Sequence, residues 1–168
     1  NNIKVHQSLK FLLSESIFFI NKKELRDILE NNNLIDHFYV KKIYPNLIKI
    51  KIKQTKIIAI TNKNNKKFYI GSNGKLIQTI NRNNNLPNIF GDYDKASFFN
   101  LLKFIKKSNF KLSDIKDLYF FKSGRWDIKT DQNVIIKLPK KNLEESLNLS
   151  LAVLNDKKFK NIKILDLR

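Results

Sequence analysis

Hydrophobic and polar positions repeat along the chain with two different periods. Ile48, Ile50 and Ile52 alternate with lysines between residues 47 and 53, which predicts a strand with one buried face and one wet face. Apolar residues at helical spacing predict helices in four segments, Val5 to Leu12, Leu25 to Leu29, Phe98 to Ile105 and Leu143 to Leu154. Asn21 is expected to cap the second of these helices, since Glu24 follows three residues later.

Strand-like runs fill the segments between the helices. They cover residues 40–44, 47–53, 56–61, 68–70, 75–77, 115–121, 125–130, 134–138 and 162–167. Gly71 to Gly74 and Gly124 supply turns, whereas the polar stretches 62–67 and 81–90 are expected to be loops. Short strands joined by tight turns, with helices laid on one face, predict an α+β architecture rather than a parallel α/β sheet.

The chain is strongly basic, with a formal net charge of +18. Such a charge is typical of proteins that bind nucleic acid or an anionic membrane surface. Only four of the 33 basic residues are arginine, however, and proteins that read phosphate or guanine favour arginine. Lys, Asn and Ile are encoded by AT-rich codons, so we favour codon composition as the source of the charge.

Residues that could carry chemistry form no recognisable motif. His6 and His37 are the two histidines and cysteine is absent, which argues against a metal site. The run Gly71 to Lys75 resembles the end of a phosphate loop but lacks the glycine and the hydroxyl residue that the motif needs at its ends. Asp92 and Asp94 precede a predicted helix, where carboxylates act as caps. We therefore expect no enzyme, no cofactor and no bound metal.

Several motifs stand in the order found in one family of bacterial cell-division proteins. They are Val40 to Ile52 (V-x-K-x-x-P followed by alternating Ile), Phe68 to Leu76, Leu86 to Gly91 (L-P-x-I-x-G), Arg125 to Ile128 with Val134 to Pro139, and Ile164 to Arg168 (I-L-D-L-R). Together these segments resemble the FtsQ/DivIB family. Lys42 stands where that family has arginine, and Asn133 stands for a glycine at a turn that needs positive φ.

The resemblance implies two domains within the α+β class. The first is a partial POTRA domain over residues 1–54, with helices on a small sheet and its first strand missing. The second is an antiparallel β domain with flanking helices over residues 55–168. Because the chain starts at Asn1 rather than Met, we expect further sequence upstream. The resemblance implies that this upstream part contains a transmembrane helix and the missing strand, and that a short tail follows Arg168.

The resemblance also implies a non-catalytic scaffold of the divisome, anchored in the inner membrane by one upstream helix. These residues would lie on the periplasmic side at the division site. Its partners would be division proteins of the FtsB/FtsL type, not nucleic acid, bound by strand addition at the C-terminal edge. The residues that the resemblance assigns to partner binding are Arg125, Trp126, Ile162, Ile164, Asp166, Leu167 and Arg168.

Some roles and classes stay open at this point. Trp126 could pack in the core or meet the partner, and we favour the core. For Arg125 and Arg168, a partner contact and an ordinary surface role are equally supported. The alternative classes are a basic nucleic-acid-binding module and another POTRA-containing transport or assembly protein.

Overall fold

The computed structural model describes residues 10, 19–78, 85–159 and 161–168. These residues form three α-helices, α1 (Lys22–Glu30), α2 (Lys95–Lys107) and α3 (Leu143–Asn155). They also form ten strands, β1 (Ile35–Ile43), β2 (Leu47–Gln54), β3 (Ile57–Lys63), β4 (Lys66–Gly71), β5 (Leu76–Ile77), β6 (Asn88–Phe90), β7 (Ile115–Phe120), β8 (Trp126–Thr130), β9 (Ile135–Lys137) and β10 (Ile164–Asp166). The chain divides into two compact units, Asn1–Ile57 with Ile70–Ile77, and Ile58–Tyr69 with Gln78–Arg168. The helix predicted from Val5 lies outside the described residues apart from Lys10.

Helix α1 begins where predicted, because Asn21 caps it. The Asn21 side-chain oxygen accepts a hydrogen bond from the main-chain N–H of Lys23 at 2.9 Å, which satisfies one of the free donors of the first turn. Leu25 and Leu29 face inward and are almost fully buried. They form the core of the first unit together with Ile35, the first residue of β1.

Strands β1 and β2 form an antiparallel hairpin along their whole length. The side chains that pack against the α1 cluster from the hairpin are Phe38, Val40, Ile48 and Ile50. The predicted alternation of apolar residues with lysines is confirmed, although Ile52 remains 44% exposed near the open end. Strand β1 starts at Ile35, earlier than the predicted residue 40, because its first residues already alternate between buried and exposed.

Residues 70–77 belong to the first unit, although they follow the predicted domain boundary between residues 54 and 55. The side-chain amide of Asn73 donates to the carbonyl oxygens of Asn33 and Ile35 at 3.1 and 2.9 Å. The hydroxyl groups of Thr55 and Ser72 lie 3.1 Å apart. The hairpin predicted for this segment is confirmed, since β4 and β5 are neighbours in the sheet. The boundary itself stays a prediction.

Strands β3 to β10 form a mixed sheet in the order β10-β9-β8-β7-β6-β3-β4-β5. The α+β class is confirmed, and β7, β8 and β9 are antiparallel as expected. The sheet of the expected antiparallel domain also contains parallel pairs, since β6 runs parallel to β3 and β7, and β10 runs parallel to β9. For the pairs β6–β7 and β9–β10, the physical reason is that α2 connects β6 to β7 and α3 connects β9 to β10. A helical crossover returns the chain in the same direction, whereas a tight turn reverses it.

Two predicted loops are wrong in part. Residues 88–90, placed in the loop 81–90, form the central strand β6, and Ile89 is 3% exposed. Residues 62–67 are a hairpin rather than a loop, because Asn64 and Asn65 adopt φ angles of 50° and 56° and so form a two-residue turn between β3 and β4.

The second unit buries its apolar residues between its sheet and its two helices. Leu118, Ile128 and Ile136 stand opposite one another on β7, β8 and β9 and are fully buried. The buried helix residues are Phe98, Leu101 and Ile105 on α2, and Leu143 and Leu147 on α3. Helix α2 starts at its predicted cap, Asp94, whose carboxylate accepts from the main-chain N–H of Ser97 at 2.8 Å.

Candidate partner-binding edge

Strand β10 lies at one edge of the sheet, next to β9. The main-chain N–H of Ile135 on β9 donates to the Lys163 carbonyl at 2.9 Å, and the Leu167 N–H donates to the carbonyl of Lys137 on β9 at 3.1 Å. Successive residues of a strand direct their main-chain groups to opposite sides, so the N–H and C=O groups of Ile164 and Asp166 point away from β9. The Ile164 side chain is 52% exposed. This edge is therefore accessible to another extended segment.

A compact ionic cluster lies at the end of β10. The Arg168 guanidinium donates two hydrogen bonds to the Asp166 carboxylate, one of them from Nε at 2.7 Å. Lys137 Nζ lies 3.9 Å from the same carboxylate. The hydrogen bond from the Arg168 side chain holds the pKa of Asp166 well below its usual range, and the same bond raises the pKa of Arg168. Asp166 is thus a carboxylate whose charged form is favoured by two neighbouring cations.

Arg125 precedes β8 and is partly buried, with a side chain 23% exposed. Its Nε lies 3.3 Å from Oδ1 of Asp127, a carboxylate that is itself buried. The guanidinium carbon lies 4.7 Å from the centre of the Phe121 ring, which is close enough for a cation–π contact. Arg125 is therefore held in one orientation by an acid and an aromatic ring of its own chain.

Three charged residues form a row across the edge of the sheet. Asp127, Lys137 and Asp166 stand directly opposite one another on β8, β9 and β10. Arg125 and Arg168 lie two positions from Asp127 and Asp166 along the chain, so their side chains point to the same face of the sheet. Asp127 also raises the pKa of Arg168 through its charge, although less than the hydrogen bond from Arg168 to Asp166 does.

Sequence reasoning missed Asp127 and Lys137 as members of this cluster. The spacing of two residues between Arg125 and Asp127 was a usable signal, because it places both side chains on one face of a strand. The contribution of Lys137 was not visible, because it depends on the pairing of β9 with β8 and β10.

The remaining predicted site residues are less exposed. Trp126 is 3% exposed and packs in the core, with its ring centre 4.8 Å from that of Phe120 and 6.3 Å from that of Phe98. The favoured core interpretation of Trp126 fits this position, and its side chain offers no surface to a partner. Ile162 and Leu167 are half-buried, so the exposed side chains among the predicted site residues of this segment are those of Ile164, Asp166 and Arg168.

In the described part of the chain, no three histidine, aspartate or glutamate side chains come close enough to hold a metal ion. None of the described helices combines the length and the apolar character needed to cross a membrane.

Comparison with known families accounts for nearly the whole chain. The family "POTRA domain, FtsQ-type" matches residues 1–55, and "Cell division protein FtsQ/DivIB, C-terminal" matches residues 59–168. The "Cell division protein FtsQ" of Rickettsia bellii is 31% identical over 156 residues, which are 91% of this chain and 58% of that protein. The protein of the same name from Rickettsia typhi is 32% identical over 158 residues, 91% of this chain and 59% of its own length. The chain thus spans somewhat more than half the length of these curated relatives.

The fold and the matched domains define a POTRA-containing α+β protein whose second unit ends in an open, charged sheet edge. The chain belongs to the FtsQ/DivIB family of cell-division proteins, as the match over residues 59–168 shows. The resemblance drawn from the sequence motifs is confirmed. The members of this family are non-catalytic membrane proteins of cell division, so the expectation of no enzyme is confirmed by family membership. These matches favour a division protein over a nucleic-acid-binding module or another POTRA-containing transport protein.

Proposed function

We propose that this chain is the extracytoplasmic part of a divisome scaffold, which binds another division protein by adding an extended segment of it to β10. The whole protein would be anchored in the inner membrane by a single helix, with these residues on the periplasmic side at the division site. The observation that carries the proposal is the open edge at Ile164 and Asp166, whose main-chain groups point away from β9.

Strand addition suits such an edge physically. An added strand gains main-chain hydrogen bonds that depend little on its sequence, while side chains beside it give specificity. Here the neighbouring side chains are those of Ile164, Asp166 and Arg168, one apolar and two charged. The segment that fits this edge is therefore extended, with an apolar residue near Ile164 and an acidic residue near Arg168.

Arg168 is the better placed of the two arginines for such an acidic residue. Its side chain is 41% exposed while it holds Asp166, so a second carboxylate can approach it from the solvent side. Arg125 is less exposed and is already paired with Asp127, so a partner carboxylate would have to share it with that residue. On the family resemblance, the partner is the FtsB/FtsL pair, and nucleic acid is not a partner.

A proline substitution at the edge tests the binding mode. Ile164→Pro removes an N–H that points away from β9, so the pairing of β10 with β9 should survive, since proline is tolerated on edge strands. Ile164→Gln keeps the N–H and changes the side chain alone. In calorimetric titration of the full-length protein with the FtsB/FtsL pair, we expect Ile164→Pro to weaken binding much more than Ile164→Gln. Equal effects of the two substitutions would exclude strand addition at this edge.

Charge reversal tests the arginines. Arg168→Glu and Arg125→Glu should each weaken binding by a few kcal/mol if the partner's acidic side chain is desolvated against them. Arg26→Glu is the matched control, because Arg26 lies on α1 with a side chain 69% exposed and the substitution changes the net charge by the same amount. If Arg26→Glu weakens binding as much as Arg168→Glu, overall charge and not a local contact is responsible.

A further inference from the structure

The outer face of the β1–β2 hairpin is basic along most of its length. From the open end to the tip, the facing pairs on this exposed side are His37 with Lys53, Tyr39 with Lys51, Lys41 with Lys49, and Ile43 with Leu47. Asp36 lies 3.8 Å from Lys53 at the open end. Beyond it, the sequence contains no acidic residue from residue 37 to residue 91, so no acidic residue of this stretch balances Lys41 and Lys49.

This arrangement of charge is unfavourable in the isolated protein. Lys41 and Lys49 are directly opposite each other, and like charges at that position destabilise a sheet. An anion bound over both lysines would relieve this repulsion. Binding to an anionic surface therefore stabilises the hairpin more than it would if the two lysines lay far apart.

The tip of the same hairpin is apolar and exposed. Ile43, Tyr44 and Leu47 are 37%, 61% and 52% exposed. An apolar tip bordered by lysines matches the two layers of a membrane interface, where apolar groups enter the acyl boundary and cationic side chains remain among the phosphates. Lysine suits this position because its flexible stem lies along apolar surface while its ammonium group stays in water.

We propose that the β1–β2 hairpin docks on an anionic phospholipid surface, with Ile43, Tyr44 and Leu47 at the acyl boundary and the lysines of the outer face on the headgroup phosphates. A bilayer presents its charges over a surface, which lysines at successive positions of one strand face can meet together. Residues 37–54 hold five lysines and no arginine, whereas recognition of nucleic acid usually includes arginine. The proposal does not depend on strand addition, because it uses no residue of the second unit.

Vesicle sedimentation tests the role of the lysines. We expect the full chain to bind phosphatidylcholine vesicles that contain 30% phosphatidylglycerol and not vesicles of phosphatidylcholine alone. Lys41→Gln with Lys49→Gln should lower the partition coefficient about 25-fold, since each lysine near an anionic membrane contributes about a fivefold change. The control is Lys63→Gln with Lys66→Gln, an equally charged pair on either side of the β3–β4 turn, which has no exposed apolar tip. This control should change the partition coefficient little.

A second pair of variants tests the apolar tip. Leu47→Gln should weaken vesicle binding about fivefold, because a half-exposed leucine would lose its burial in the bilayer. Leu149→Gln, on α3, changes a side chain of nearly the same exposure, 51%, and should leave binding unchanged. Circular dichroism checks that all four variants keep their fold.

Four results would overturn the proposal. Equal losses from the two lysine pairs would mean that net charge alone drives binding. Equal binding to neutral vesicles, or no binding to either kind, would exclude an anionic lipid surface as the ligand. Tighter binding of a short DNA duplex at physiological salt, with the same dependence on Lys41 and Lys49, would assign the hairpin to nucleic acid.

Discussion

Gly91 occupies a position where even one additional carbon atom should be costly. It follows β6 directly and adopts a φ of +98°, a conformation that residues with side chains rarely adopt. A Cβ atom at this position would lie 2.2 Å from the carbonyl oxygen of Phe120 on β7. Since β6 and β7 are paired strands in the centre of the sheet, neither main chain can move without disturbing the pairing.

The cost of Gly91→Ala has two parts. The positive φ costs about 1–2 kcal/mol for alanine. Cβ atoms are essentially never found closer than 3.0 Å to such an atom, so the added Cβ must move roughly 0.8 Å away from the Phe120 oxygen. Overpacking of this kind costs about 1–3 kcal/mol. We therefore expect Gly91→Ala to lower the free energy of unfolding by about 3 kcal/mol.

Gly124→Ala is the matched control for the steric part. Gly124 also has a positive φ, +79°, but its added Cβ would meet only the end of the Lys140 side chain, at 3.5 Å. This substitution should therefore cost about 1 kcal/mol, the cost of the φ angle alone.

Urea unfolding followed by tryptophan fluorescence measures both variants. Trp126 is the single tryptophan and is buried in the second unit, so its signal reports the unfolding of the unit that contains both glycines. With a slope of about 1.5 kcal/mol per M urea, the midpoint should fall by about 2 M for Gly91→Ala and by about 0.7 M for Gly124→Ala. Equal midpoints for the two variants would refute the steric argument.

Two further predictions concern the core and the ionic cluster. Leu147→Ala should lower the free energy of unfolding by about 2–5 kcal/mol, because it opens a cavity at a fully buried position. Leu149→Ala, at a half-exposed position two residues on, should change the free energy of unfolding by less than about 0.5 kcal/mol. Similar urea midpoints for the two variants would contradict the packing of these side chains. The hydrogen bond from Arg168 depresses the pKa of Asp166, so the negative charge of Asp166 stabilises the fold at neutral pH. An ordinary aspartate is protonated as the pH falls through about 4. The stabilisation from Asp166 should persist through that pH and be lost only at lower pH. Arg168→Gln should return the carboxyl titration, followed by NMR, toward the ordinary range, and an unchanged titration would show that Arg168 is not the cause.

Features set by local sequence were predictable, because their causes lie within a few residues. Asn21 and Asp94 both cap the helices that they were expected to cap. The turn before β9 has the positive φ expected of it, 62° at Asn133. The lysine face of β2 follows directly from the alternation of its residues.

Features set by contacts between distant segments were not predictable in the same way. Strand β6 has three residues, too few for an alternation to be recognised, and it is a strand because β3 and β7 pair with it on either side. The parallel direction of β10 depends on the crossover through α3. The row of Asp127, Lys137 and Asp166 likewise depends on the register of three strands, which residue spacing within one strand does not reveal.

The return of residues 70–77 to the first unit affects how this protein can be made and recombined. The chain passes between the two units three times, after residues 57, 69 and 77, so no single cut separates them. During synthesis, Asn33 and Ile35 cannot receive the hydrogen bonds of Asn73 until the β3–β4 hairpin has also been made. A gene fusion that joins only residues 1–55 to another protein would therefore transfer the first unit without the segment that completes it.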